Sequence, residues 1–122
     1  NRVEEPPMSH FTDAELYDIT FRVCVAAVKS AFPHLPMAKI IDPPRGHFDA
    51  VLARQIALHV MVAQFDLPKK RAGAFVDRAR VSVNRALQVI DDRLDEPEFA
   101  TVYRRIAAEA QGMFDEKLAE AA

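Results

Sequence analysis

No stretch of this chain alternates apolar and polar residues with period two; its apolar residues recur every three or four positions. That spacing turns one side of a helix toward a core and leaves no segment with the pattern of a half-buried strand. The expected fold is all-α, with about five helices joined by short connections. At 122 residues, half of them hydrophobic, the chain is long enough for one domain with a real core. No apolar run approaches the roughly 18 residues of a membrane span, and no secretory signal is visible. The single Cys24 has no internal partner for a disulfide and fits a reducing cytoplasm. It falls on a helical stretch and reads as a small buried hydrophobe.

Residues 1–11 form a flexible lead, and residues 12–122 are read as the domain. Thr12-Asp13-Ala14-Glu15 is a capping box, with Glu15 placed to reach back to the Thr12 amide. The helix it opens runs to about Ala31, with Leu16, Ile19, Val23 and Ala27 inward. Pro33, Pro36, Pro43 and Pro44 then impose a loop of about fifteen residues, long for a compact domain. It is either functional or a surface connector; its basic residues are Lys39 and Arg45, with His34 and His47 near its ends. The next helix spans Phe48 to Phe65, and Phe48, Val51, Leu52, Ile56, Val60 and Met61 give it a broad apolar face. Arg54, Gln55 and His59 are its polar positions.

The stretch from about 66 to 94 reads as helix, tight turn, helix. Asp66 is a candidate N-cap and Pro68 suits a first turn, where a missing N–H costs nothing. The first helix ends near Phe75; Val76 and Asp77 make the turn, and Asp77 caps the second helix. Val83, Leu87, Ile90 and Leu94 form the expected buried stripe, with Arg85 and Gln88 off it. Between Leu67 and Ile90, Lys69, Lys70, Arg71, Arg78, Arg80 and Arg85 stand against the single acid Asp77, inside a chain of net charge −2. A polyanion is the simplest partner for such a cluster. A helix with arginines in its first two turns suits a DNA major groove.

Leu52 to Ile90 resembles the C-terminal DNA-binding domain of the bacterial replication initiator family DnaA. That domain carries R-Q-x-A on a central helix, then L-P, then G-G-R-D-H-T-T-V opening the recognition helix. This chain has Arg54-Gln55-Ile56-Ala57, then Leu67-Pro68, then Val76-Asp77-Arg78-Ala79-Arg80-Val81-Ser82-Val83. Arg78 keeps the signature's arginine, while Ala79, Arg80, Val81 and Ser82 replace its Asp, His and paired Thr. The resemblance implies a helix-turn-helix of the Trp-repressor type, reading a site other than the initiator's origin box. It implies DNA-contacting roles for Arg78, Arg80, Val81, Ser82 and Arg85 on the recognition helix; the charge cluster adds Lys69, Lys70 and Arg71 before it. It also implies a phosphate contact for Arg54, a residue that could equally pair with a carboxylate, and a minor-groove role for Arg45. The initiator's ATPase is not encoded here: there is no G-x-x-x-x-G-K-[ST]. What is implied is a free-standing, nucleoid-associated transcriptional regulator, an activator of the kind that controls gene-transfer-agent genes beside RNA polymerase or a sigma-factor-like protein.

After the basic stretch, Asp91-Asp92-Arg93-Leu94-Asp95-Glu96 reads as a solvated, acidic helix end. The last helix starts at Asp95 to Glu98, with Phe99, Val102, Ile106, Ala110 and Met113 inward. Met113, Phe114 and Leu118 either pack on the first helix or dock a partner. No H-E-x-x-H, C-x-x-C or H-x-x-x-H pair suggests a metal or cofactor, and Ser9, Ser30 and Ser82 lack a nucleophile-elbow context. An enzyme is therefore not expected. The rival class is a protein-interaction module, in which the basic face meets an acidic protein.

Overall fold

The computed structural model describes residues 11–76 and 80–121, with backbone only for Arg80 and Val81. Within them lie six α-helices and one π-helical turn: α1 Asp13–Ala31, α2 Met37–Ile41, α3 Phe48–His59, the π turn Val60–Gln64, α4 Lys69–Phe75, α5 Arg80–Arg93 and α6 Pro97–Ala121. The expected all-α class holds for the described residues. The lead up to residue 10 and the Asp77 cap lie outside them.

The capping box forms at the start of α1. The Thr12 side chain accepts the Glu15 amide at 3.1 Å, and the Thr12 amide donates to Glu15 Oε1 at 2.8 Å. Hydrogen bonding to its carboxylate, from the Thr12 amide first and the Thr12 side chain second, lowers the Glu15 carboxyl from its ordinary value. The long proline loop is broken by α2, whose Ile40 is fully buried and so ties the connection to the core.

α3 is the central element. Ala50, Ala53, Ile56, Ala57, Leu58, Val60 and Met61 are all buried along it and its π turn. Alanines at the closest approaches let neighbouring helices come near, and the longer helices α1 and α5 pack directly on α3. α1 and α6 pack along each other, and α6 contributes Tyr103, Ile106 and Ala110 to the core. Phe65 meets Phe114 with ring centroids 5.3 Å apart, and Met113 and Phe114 lean on the core. The end of α6 thus belongs to the domain's own packing, one of the two readings its spacing allows.

Several expectations are corrected in phase. Phe48, expected in the apolar face of α3, is 84% exposed because it is the first residue of the helix and points past the core. On α6 Val102 is exposed and Tyr103 is buried in its stead, while Ile106 and Ala110 are inside as expected. On α5 the stripe is Val83, Ala86 and Ile90; Leu87 and Leu94 sit at its edge, half-buried.

Asp66 is not an N-cap. Its φ of 55° places it in the left-handed region, just beyond the π turn, where Asp is better tolerated than most side chains. The Leu67 amide donates back to Met61 O at 3.0 Å, closing the end of that helix. The N-cap of α4 is Pro68, with no side-chain capping bond. The extra residue of the π turn is what brings Asp66 to the end of the preceding helix and Leu67 into the core.

Candidate nucleic-acid interface

α4 is held from below and open above. Leu67, Ala72, Gly73 and Val76 are buried, and Phe75 stacks on Phe21 of α1 with centroids 4.6 Å apart. Lys70 and Arg71 are exposed and Lys69 is half-buried, so three consecutive cations reach solvent in the first turn of a seven-residue helix. The Arg71 guanidinium lies 5.5 Å from the centroid of the Tyr17 ring, a cation–π contact that also braces α4 on α1.

α5 follows after residues 76–79. With Val83, Ala86 and Ile90 turned inward, Ser82, Asn84, Arg85 and Gln88 are exposed or at the edge. Arg80 and Val81 lie in the first turn of α5. Arg78 falls outside the described residues. Among the described residues, Lys69, Lys70, Arg71 and Arg85 are in no ion pair; the ion pairs lie elsewhere, as in Asp18–Arg22 and Lys117–Glu120. Of the expected contacts among the described residues, Lys69, Lys70 and Arg71 fall on α4, Arg80, Val81, Ser82 and Arg85 fall on α5, and two fall on neither. Arg54 is half-buried on α3, and Arg45 is exposed in the connection before α3.

What fixes α5 is a polar link that the sequence does not announce. His59, read from the sequence as one of the polar positions of its helix, is 5% exposed. Its Nε2 lies 2.7 Å from Asp91 Oδ1 on α5, and its Nδ1 lies 2.5 Å from the Tyr103 hydroxyl on α6. With the ring proton on Nε2, the imidazole donates to the carboxylate and accepts from the tyrosine, so both nitrogens are satisfied. The Tyr103 ring also meets the imidazole edge-on at 5.0 Å. Burial pushes the Tyr103 hydroxyl up to about 12, opposed by a hydrogen bond with Gln64 and reinforced by Cys24 and Asp91. Burial likewise pushes the Cys24 thiol up to about 12. Asp91 is therefore more than part of a solvated acidic end: it pins the C-terminal half of α5 to α3. Asp92 does face water and accepts from Gln88 at 3.0 Å.

Asn84 is a candidate that the sequence motifs do not single out. Its one available signal is its position off the Val83, Ala86, Ile90 stripe, beside Arg85. No group of three or more His, Cys, Asp or Glu among the described residues is arranged to hold a metal ion. No described helix is long and apolar enough to cross a membrane. No family model, curated protein or solved structure matches this chain.

Proposed function

We propose that the chain is a sequence-specific double-stranded DNA-binding regulator of transcription, with α4 and α5 as its helix-turn-helix. The observation that carries this reading is the clustered charge: Lys69, Lys70 and Arg71 on α4 and Arg85 on α5 reach solvent on two consecutive helices without ion-pair partners among the described residues. Cations left unpaired together suit phosphates, whose contact releases condensed counterions. Ser82, Asn84 and Gln88 beside Arg85 supply hydrogen-bonding groups of the kind that read base edges. The acidic residues 91–96 lie toward the other end of α5 and repel the backbone there, which favours entry N-terminal end first.

The resemblance to the DnaA DNA-binding domain supports the same orientation, with Arg78, Arg80 and Val81 at the bases and Arg45 and Arg54 as outer contacts. Activation beside RNA polymerase or a sigma-factor-like protein, on the nucleoid, is the role that goes with this reading. A selection from random duplexes tests the reading. It should recover a discrete site with at least one guanine, and Arg80→Ala should lose about 1–3 kcal/mol on that site and relax choice at one base pair. Recovery of random sequence, or of the initiator's origin box, would contradict it.

A further inference from the structure

Phe48 is 84% exposed, the most exposed of the large hydrophobic side chains among the described residues. Its neighbours along the chain, Arg45, Gly46, His47 and Asp49, are exposed too, and Val51 and Leu52, one turn on, are half-buried. A protein-docking face is a contiguous apolar area, and a lone aromatic among polar neighbours is not one. A lone aromatic close to an arginine has the makings of a stacking contact with a nucleic-acid base.

The ring is held on a stiff pedestal. Pro43 and Pro44 fix two backbone angles, the His47 amide donates to Pro44 O at 3.2 Å, and Gly46 takes a φ of 84° that side chains rarely adopt. From His47 the chain enters α3 directly, with the Val51 amide donating to His47 O at 3.0 Å. Asp49, the neighbouring acid, is bonded to His34 at 2.6 Å and accepts the Ala50 amide, so its carboxylate is already occupied.

The pedestal also lies toward the end of the molecule where α5 begins. α5 packs along α3, and the His59–Asp91 bond joins the two helices near their C-termini. Helices that pack along one another and meet at their C-termini run the same way, so the starts of α3 and α5 share an end. We propose that Phe48 is an aromatic wedge that enters the duplex between base pairs beside the groove occupied by α5, with Arg45 on the adjoining phosphates. This rests on the duplex-binding reading above. It adds that binding unstacks one base step and bends the DNA.

The test uses duplexes of the selected sequence carrying 2-aminopurine at successive positions flanking the α5 contact, with affinity followed by anisotropy. The parent should raise 2-aminopurine fluorescence at one step. Phe48→Ala should abolish that rise and weaken binding about tenfold, the scale of a single base stack. Phe48→Tyr should keep both. Because Phe48 is exposed, the circular dichroism and melting temperature of Phe48→Ala should match the parent's. A parent that gives no rise at any step, or a Phe48→Ala protein that keeps the parent's rise and affinity, would overturn the wedge. So would loss of self-association in Phe48→Ala with duplex binding intact. Arg85→Ala on the same duplexes separates the two readings: if it weakens binding while Phe48→Ala does nothing, only the wedge fails, and if neither the parent nor any variant binds duplex, both fail.

Discussion

His59 looks polar in the sequence because of its residue type, yet nothing near it along the chain names its partners. Asp91 is 32 residues away and Tyr103 is 44 away, so only the packing of α3, α5 and α6 brings them together. Residue type predicts that a buried imidazole will be bonded, but not to what. His59→Ala should therefore be costly out of proportion to its size: it opens a cavity and strips the buried Tyr103 hydroxyl of one partner. A loss of about 1–3 kcal/mol in urea unfolding is expected, and a midpoint equal to the parent's would refute the link. Asp66 gives the complementary lesson. Asp before Leu-Pro suits an N-cap on sequence grounds, whereas its positive φ makes it the closing residue of the preceding helix. The sequence carries no mark of the π turn that shifts it there. Periodicity places Phe48 on the apolar face because it ignores where a helix begins, and a first-turn residue can point beyond the core.

At the scale of elements, the helices themselves are legible in the sequence and their rotations less so. The capping box fixes the start of α1, and the prolines mark the break before α3. The short α2 inside the proline loop leaves no such trace, since five residues are too few to show a period. On α5 the apolar Val83 and Ile90 stand out in the sequence, but side-chain size favours Leu87 over Ala86 for the position between them. The structure turns Ala86 inside and leaves Leu87 at the edge. The difference is measurable. Ile90→Ala should cost about 2–5 kcal/mol as a fully buried large-to-small change. Leu87→Ala, at the half-buried edge, should cost clearly less. A chemical-denaturation series in which Leu87→Ala is the more damaging of the two would mean that α5 is rotated relative to this account, and the outer set Ser82, Asn84, Arg85 and Gln88 would have to be redrawn.

The whole molecule divides its charge along the chain: cations on α4 and the first half of α5, acids from Asp91 to Glu98. That division, and the all-α class, are readable from sequence; which cations stand together is not, because Arg45 and Arg54 are brought near or kept apart only by packing. The buried Cys24 and Tyr103 add a pH signature. Both hold their protons in the folded chain up to about 12, against ordinary values of 9.0 and 10.0. Between those limits the unfolded chain binds fewer protons than the folded one, so stability falls as pH rises. Unfolding free energy should thus decline from about pH 9 to pH 12, and a thermal-melt series flat across that window would contradict the burial of both groups. The most direct test of the account is the salt dependence of duplex binding. Log affinity against log salt should be linear and steep for the parent even on non-specific DNA. Lys69→Ala with Lys70→Ala should lower the slope by about 1 for each phosphate the protein no longer neutralises, with affinity falling alike on all duplexes. A slope unchanged by the double substitution, or no measurable duplex binding at low salt, would remove α4 from any nucleic-acid interface and the central claim with it.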